Sequence, residues 1–292
     1  MEPASLIIDV NKPYNLRYTV LFHGWLNLPP FEWDSENNLL RRVEDIDSDF
    51  SVLLEIKQKN SRRIQIMISD KDRISQLDKA RLRGRINRML NYEKDLNPLK
   101  RLAEKNREQK IIDYLDAGGG YPLRGATLFE DVVKTLFTCN ASWPFTVKMT
   151  TELCRRYGAK ISSSNIWGFP DFGDVPRDPQ IQIGYRKKYL NNILEGYDKL
   201  KSVSETNSGY DLIRSEIQNI NGLGPYSTSH IMILLGDYSR IPIDREVASY
   251  HKIEYSKKNI NKIQSCYEKK WSDWAYAGYK INRITNKKNW IG

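Results

Sequence analysis

The spacing of hydrophobic and polar positions changes near residue 75. Before that point, short β-rich stretches at 14–22, 52–57 and 63–68 are separated by polar turn clusters. After it, leucine, isoleucine and arginine recur at helical spacing to the end of the chain. The pattern predicts an α+β protein, with a small N-terminal antiparallel β-sheet domain at 1–75 and a larger all-α region at 76–292.

Several helices of the second region have recognisable ends. Thr127-Leu-Phe-Glu130 is a capping-box pattern and predicts a helix that ends near Asn140. Pro144 suits the first turn of the next helix. A further helix is predicted over 185–200, and the Ser-, Gly- and Pro-rich stretch 162–175 is predicted to be a loop.

The most informative stretch is 211–247, where a glycine hairpin joins two apolar helices. Ile213, Ile217 and Ile220 lie at i, i+4 and i+7, which predicts the first helix, and Pro225 is suited to open the second. Unpaired backbone N–H groups at the start of that second helix can hold a phosphate. The alternative is an ordinary packing unit in which glycine only ends a helix.

Asp244 follows this hairpin at a distance that allows one helix and a return loop. It lies in Ile241-Pro-Ile-Asp-Arg245. By itself, an aspartate in this position is an N-cap. The spacing also returns its carboxylate to the second helix of the hairpin, so a chemical role is compatible with the capping role.

The amino-acid composition indicates which kinds of binding partner to expect. The 292 residues carry a formal net charge of +10, which favours nucleic acid because cationic surfaces attract the phosphate backbone. The three cysteines form no CxxC pair, and the three histidines form no metal-ligand cluster. No stretch is apolar enough to span a membrane. We therefore expect an intracellular protein, in the cytoplasm or nucleoid, or in the nucleus of a eukaryote.

The hairpin and Asp244 together resemble the helix-hairpin-helix (HhH-GPD) DNA glycosylase superfamily. Further motifs along nearly the whole chain are similar to its 3-methyladenine DNA glycosylase II branch. In chain order they are Phe22-His-Gly-Trp25, Pro29-Pro-Phe31, Thr127-Leu-Phe-Glu-Asp-Val-Val-Lys134, Gly184-Tyr-Arg-Lys-Lys-Tyr-Leu190 and Tyr267-Glu-Lys-Lys-Trp271. The resemblance implies that the all-α region is a helix-hairpin-helix glycosylase domain.

The resemblance also implies an activity. It indicates a monofunctional DNA N-glycosylase of base-excision repair, which flips a damaged, alkylated purine out of double-stranded DNA and hydrolyses its N-glycosidic bond. Asp244 is then catalytic, stabilising the sugar cation and orienting water. Members with lyase activity carry lysine two residues after the second hairpin glycine, where this chain has Tyr226. A phenol cannot form the imine, so water is the expected nucleophile. No cofactor is implied, and the family indicates a monomer.

Further site residues are carried over from the family. Tyr226 and His230, at i and i+4, form one wall of the base pocket and Trp274 an opposing wall, with core packing as the alternative for each. His230 departs from the aromatic residue expected in an alkylpurine enzyme. The residues implied in DNA binding are Asn140, Gly222, Leu223, Gly224, Ser227 and Arg186. Asn140 corresponds to the residue that fills the gap left by the flipped nucleotide, and its alternative role is to end a helix.

Two other functions stay open from sequence. The first is a glycosylase of the same fold that acts on oxidised, deaminated or mismatched bases. The second is a non-catalytic helix-hairpin-helix module that only binds DNA. Asp244 argues against the second, because a pure binding protein has no need for a carboxylate beside an anionic strand.

Overall fold

The computed structural model describes residues 4–23, 25–47, 50–69, 74–161, 165–206 and 208–286. The chain divides into two compact units. The first comprises 1–93 and 121–194, and the second comprises 94–120 and 195–292. The predicted boundary near residue 75 falls inside the first unit, and a separate domain over 1–75 stays a prediction.

A five-stranded antiparallel sheet forms the N-terminal part of the first unit, as the sequence predicted. Its strands are β1 (Ala4–Asp9), β2 (Glu32–Asp34), β3 (Leu39–Asp47), β4 (Phe50–Asn60) and β5 (Arg63–Ile68), in the spatial order β1-β5-β4-β3-β2. The stretches predicted at 52–57 and 63–68 are β4 and β5. In their register Ile56 pairs with Ile66 and Leu54 with Ile68, so one face of the sheet is apolar and buried.

The stretch at 14–22 was wrongly predicted as a strand, because it contains helix α1 (Leu16–His23). Asn15 starts the helix: its side-chain oxygen accepts a hydrogen bond from the Tyr18 N–H at 3.1 Å. The buried residues Leu16, Thr19 and Val20 follow helical spacing rather than alternation. The β-branched composition concealed this period.

Helices make up most of the rest of the chain. They are α2 (Gln76–Leu90), α3 (Asn97–Lys105), α4 (Gln109–Asp116), α5 (Leu128–Thr138), α6 (Trp143–Tyr157), α7 (Arg186–Glu205), α8 (Tyr210–Asn219), α9 (Pro225–Leu235), α10 (Arg245–Tyr250), α11 (Lys257–Trp271) and α12 (Ala275–Thr285). The predicted helices after Thr127, around Pro144 and over 185–200 are α5, α6 and α7. Within the predicted loop 162–175, residues 162–164 lie outside the described residues. The described remainder contains an isolated β-bridge from Trp167 to Lys160 and the short 3-10 turn Phe172–Asp174. No helix among the described residues is long and apolar enough to cross a membrane.

The predicted capping box at the start of α5 is only half formed. The Thr127 hydroxyl accepts a hydrogen bond from the Glu130 N–H at 3.1 Å. The Glu130 carboxylate accepts from the Ala126 N–H at 2.8 Å instead of from Thr127. The carboxylate lies there because it also forms ion pairs with two buried cations, Arg42 and Lys134.

Those cations form a buried ion cluster between β3 and α5. Glu130 is 1% exposed and contacts Arg42 at 3.1 Å and Lys134 at 2.5 Å. Arg42 also pairs with Glu44, which Arg85 contacts at 2.6 Å. Burial raises the pKa of Glu130, but the two cations outweigh it and lower the pKa to about 2. The sheet and α5 are therefore joined by charges that are costly to separate.

The second unit is built around α12, which is buried along most of its length. The Trp271 ring lies against Gly278, where any added Cβ would clash with the indole. α12 packs against both α4 and α11. This packing fixes the orientation of α12 and with it the positions of Tyr276 and Lys280.

We expect Glu130→Ala to lower the free energy of unfolding by about 3–5 kcal/mol, because Arg42 and Lys134 lose their shared counter-ion in the core. Asp116→Ala is the matched control, since it breaks an exposed pair with Lys100 and should cost less than about 1 kcal/mol. Because the pKa of Glu130 is depressed in the folded state, its contribution is present above the unfolded pKa and is lost as pH falls toward about 2. Urea unfolding at pH 7 and pH 3 measures both effects. Equal losses in the two variants would contradict the role of the cluster.

Candidate active site and DNA-contacting residues

The glycine hairpin of the second unit has the predicted form. α8 ends at Asn219 and α9 begins at Pro225, and Gly222 between them has φ 108°, a left-handed angle that favours glycine. Leu223 is buried, and its N–H donates to the Ile220 carbonyl at 3.0 Å. The turn is therefore held in one conformation, and the buried side chain of Leu223 anchors it.

The start of α9 faces outward at this turn. Gly224 is the N-cap residue and is exposed, as is Pro225. A Cβ added to Gly224 would meet nothing within 4 Å. Leu223 and Ser227 have buried side chains, so the DNA contacts predicted for them would involve the backbone. Backbone N–H groups at such a helix start bind anions.

Asp244 is the N-cap of α10. Its Oδ1 accepts a hydrogen bond from the Val247 N–H at 2.8 Å. The buried side chains of Ile241 and Ile243 anchor the preceding segment, and the Ile241 N–H donates to Gln264 at 3.0 Å. The carboxylate is thus held in a fixed orientation and is half-buried.

Tyr226 and His230 lie on one face of α9, as predicted. Their rings are 5.8 Å apart in an edge-to-face arrangement at 88°. His230 is 8% exposed, and burial together with the charge of Lys280 lowers its pKa to about 4. The imidazole is therefore neutral at physiological pH, and it can donate one hydrogen bond and accept another.

Trp274 belongs to a separate aromatic group of the same unit. Its ring lies 5.4 Å from that of Tyr238, which is 6.2 Å from the ring of Tyr276. The Tyr276 N–H donates to the Tyr238 carbonyl at 2.9 Å and joins the start of α12 to the segment after α9. Lys94 places its ammonium over the Tyr238 and Trp274 rings. The sequence interpretation nominated neither Tyr238, which lies between α9 and Asp244, nor Lys94, which is far from the hairpin in sequence.

Asn140 and Arg186 lie in the first unit. Asn140 follows the end of α5 with φ 49°, the left-handed angle of a residue that terminates a helix, and its side chain is exposed. Arg186 is 3% exposed and donates to the carbonyl oxygens of Cys139 at 2.5 Å and Asn140 at 3.0 Å. Arg186 thus holds the Asn140 loop in shape. A direct contact of Arg186 with the DNA backbone stays a prediction.

Two exposed aromatic residues accompany this loop, and sequence reasoning missed them. The Arg186 guanidinium lies 4.7 Å from the Tyr185 ring and 5.7 Å from the Phe145 ring. Tyr185 is 56% exposed. Its place directly before Arg186 in the Gly184–Leu190 motif was the available signal. Large exposed aromatics beside a candidate DNA-contacting loop are suited to stack on bases.

The whole chain was compared with known proteins. No family model matches it, and no curated protein matches it. Solved structures do, over nearly their full length. The 3-methyladenine DNA glycosylase from Archaeoglobus fulgidus has a TM-score of 0.69 at 15% identity, covering 94% of this chain and 98% of that one. The chain has the helix-hairpin-helix DNA glycosylase fold.

Two further structures share this glycosylase fold. The Clostridium acetobutylicum 8-oxoguanine glycosylase/lyase has a TM-score of 0.68 at 16% identity, covering 96% of this chain and 95% of that one. MBOgg1 in complex with a low-affinity DNA ligand has a TM-score of 0.67 at 17% identity, with 97% of each chain covered. Sequence identities this low establish only that the fold is shared. The chemistry therefore has to be argued from the residues of this chain.

The two hairpin glycines provide a test of the turn. Gly222→Ala should lower the free energy of unfolding by about 1–2 kcal/mol, because a Cβ is strained at its positive φ. Gly224→Ala should cost less, at most about 1 kcal/mol, because its φ of −78° suits alanine, the site is open, and only the N-cap preference for glycine over alanine is lost. If the α9 start approaches a phosphate, Gly224→Ala should still weaken duplex binding. Thermal unfolding and fluorescence anisotropy separate the two effects, and undiminished DNA affinity in Gly224→Ala would contradict the phosphate contact.

Proposed function

We propose that the protein is a monofunctional DNA glycosylase, which extrudes a damaged purine and hydrolyses its N-glycosidic bond with water. The observation that carries the proposal lies within the second unit. The outward-facing start of α9, the Tyr226–His230 pair and the oriented carboxylate of Asp244 all belong to the hairpin and its return segment. In this proposal the start of α9 binds a phosphate, the Tyr226–His230 pair contacts the base, and the Asp244 carboxylate stabilises positive charge.

Asp244 fits the catalytic role because its capping bond leaves it chemically competent. The cap needs one carboxylate oxygen, and Oδ1 supplies it. A carboxylate has a second oxygen that can face the sugar. Cleavage of the N-glycosidic bond builds positive charge on the sugar, and a preoriented negative group lowers the energy of that transition state. The same oxygen can orient the attacking water.

The DNA backbone is proposed to bind at the hairpin. A strand that contacts Gly224 meets exposed backbone and no side chain, so a phosphate can come close to the N–H groups at the start of α9. The exposed Asn140, held by Arg186, is proposed to enter the gap that the flipped nucleotide leaves.

Water is proposed as the nucleophile because Tyr226 occupies the position at which a lyase of this family would carry lysine. A phenol in contact with neutral His230 has no amine to form an imine with the sugar. The fold itself is compatible with both outcomes, since one protein that shares it is a glycosylase/lyase.

Two lesion classes remain candidates under this proposal. The sequence resemblance favours alkylated purines. The solved structures with this fold include enzymes of both kinds, a 3-methyladenine DNA glycosylase and an 8-oxoguanine glycosylase/lyase. His230 in the proposed base-contacting face supports an oxidised base, because a neutral imidazole offers hydrogen bonds rather than a broad stacking surface.

Asp244→Asn tests the catalytic assignment. Because asparagine is as good an N-cap as aspartate, we expect stability to change by less than about 0.5 kcal/mol. Base excision should fall by at least about a thousandfold, since the charge that stabilises the sugar cation is gone. Single-turnover release from lesion-containing duplexes measures this. Asp211→Asn, an exposed carboxylate in the first turn of α8, is the control and should keep full activity. Full activity in Asp244→Asn would exclude the mechanism.

The proposed lack of lyase activity can be tested separately. We expect duplexes with a single lesion to break only after alkali treatment, because hydrolysis leaves an intact strand with an abasic site. Borohydride should trap no covalent protein–DNA adduct, since Tyr226 cannot form an imine. Denaturing gels with and without alkali, on a panel of single lesions, provide the measurement. Strand breaks without alkali, together with a trapped adduct, would contradict the hydrolytic mechanism.

A further inference from the structure

The helix that follows the Asp244 carboxylate is too short to hold its own orientation. α10 has six residues, Arg245–Tyr250. Isolated helices shorter than about 12 residues are marginal in water, so the orientation of α10 is set by what it contacts. Asp244 is bonded to this helix twice, since its Oδ1 accepts from the Val247 N–H at 2.8 Å and its carbonyl oxygen accepts from the Ala248 N–H at 3.1 Å. The position of the carboxylate therefore follows that of the first turn of α10.

Arg283, in the last turn of α12, binds that first turn. Its guanidinium forms an ion pair with the carboxylate of Glu246, the second residue of α10. Its Nη1 donates to the Tyr279 hydroxyl oxygen at 2.9 Å, so the guanidinium is bonded to its own helix and to α10 at once. The Arg283 side chain is 18% exposed and that of Glu246 is 71% exposed. The contact thus joins a largely buried cation to a surface carboxylate.

The last residue of α10 contacts the same part of α12. The Tyr250 hydroxyl donates to Asn282 Oδ1 at 3.2 Å. The Tyr250 ring packs edge-to-face on the ring of Tyr279, with centroids 6.0 Å apart. The Arg283 guanidinium also lies 5.5 Å from the centre of the Tyr250 ring. Residues of the last turns of α12 therefore contact both ends of α10, and Arg283 takes part at each end.

The charge of Asp244 acts on this contact. Burial raises the pKa of the Tyr279 hydroxyl, Arg283 acts against this rise, and the charges of Asp244 and Glu246 add to it. The Asp244 carboxylate is therefore within electrostatic range of the Arg283–Tyr279 contact. Glu246 is a second carboxylate two residues from Asp244, and its ion pair with Arg283 compensates its charge beside the proposed position of an anionic strand.

We propose that Arg283 is a positioning residue for base excision: by binding Glu246 it fixes the first turn of α10, and with it the direction in which the Asp244 carboxylate meets the sugar. This inference rests on the proposed glycosylase function and adds a residue to its mechanism. Arg283 itself touches neither the base nor the sugar. Because a displacement of about 1 Å at a reacting centre can lower a rate by about a hundredfold, loss of this contact affects the chemical step more than DNA binding.

Single-turnover excision with saturating protein tests the effect on the chemical step. The duplexes carry 7-methylguanine or 8-oxoguanine, one for each candidate lesion class. Arg283→Met should lower the rate constant of base release at least about tenfold and change duplex affinity less than about twofold. Arg283→Lys should recover at least about threefold of that loss, since an ammonium keeps the ion pair with Glu246. Lys199→Met is the matched control, because it breaks only an exposed pair with Glu216 in the same unit, and it should keep the wild-type rate.

A double-mutant cycle tests whether Arg283 acts through Glu246. Glu246→Gln alone should lower the rate constant of release, because the charge that Arg283 binds is gone. Adding Glu246→Gln to Arg283→Met should lower it by no more than about twofold further, since both changes break one contact. Two independent losses that multiply in the double variant would overturn the proposal.

Two sugar analogues separate positioning from general destabilisation. One duplex carries a protonated pyrrolidine in place of a deoxyribose, which imitates the sugar cation, and the other carries a neutral tetrahydrofuran. The wild-type protein should prefer the pyrrolidine duplex, and Arg283→Met should reduce this preference at least about threefold, because the Asp244 carboxylate is no longer directed at the cation. A fraction of unfolded protein weakens both affinities equally and leaves the preference as it was. An unchanged or increased preference in Arg283→Met overturns the proposal.

A failure of the glycosylase function itself looks different, because the wild-type protein would then release neither base and bind both analogue duplexes alike. Amide hydrogen exchange of α10 still decides the positioning role in that case. Arg283→Met should speed exchange of the Val247 N–H, which is bonded to Asp244, at least about tenfold, and Lys199→Met should not. Unchanged exchange in Arg283→Met overturns the proposal. Thermal unfolding identifies a variant that does not fold, and Glu246→Gln, which changes only a surface side chain, then carries the same measurements.

Discussion

The left-handed turn at Gly222 is the constraint on which the second unit depends. Its positive φ lets the chain reverse between α8 and α9 within a few residues, and the buried Leu223 fixes the direction of that reversal. The start of α9 is thereby open, and Tyr226 and His230 follow at a spacing that puts both on one face. The chain then returns at Asp244, whose capping bond to Val247 orients the carboxylate. The turn at Gly222 thus directs the start of α9 and the residues that follow it up to Asp244.

The two units use charge in opposite ways. In the first, Glu130 is surrounded by Arg42 and Lys134, and the pKa of its carboxyl falls to about 2 because the cations outweigh the effect of burial. Such a closed cluster holds β3 and α5 together and leaves little field outside. In the second, the ammonium of Lys94 rests on aromatic rings and a backbone carbonyl. These are cation–π and hydrogen-bond contacts, in contrast to the carboxylate partners of the cations around Glu130.

The parts that sequence could predict are those set by short-range spacing. The hairpin helices, the capping role of Asp244 and the strands β4 and β5 follow from periods and turn residues within a few positions. The prediction of a strand at 14–22 was wrong because the β-rich composition of this stretch obscured the helical spacing of Leu16, Thr19 and Val20. The contacts of Lys94 could not be predicted from sequence for a different reason. Its partner Gly236 is 142 positions away in sequence, and only the folded chain joins them.

The shared glycosylase fold separates what the scaffold determines from what single residues determine. Proteins at 15–17% identity keep the same architecture over nearly the whole chain, and one of them is a glycosylase/lyase. The architecture alone therefore does not determine whether a chain has lyase activity, and in the proposed mechanism the nucleophile depends on the side chain after Pro225. Tyr226 has no amine for imine chemistry, so the proposed hydrolysis by water rests on this one residue. By the same reasoning, the choice between the two candidate lesion classes depends on the side chains around the proposed base-contacting face, of which the neutral imidazole of His230 is one.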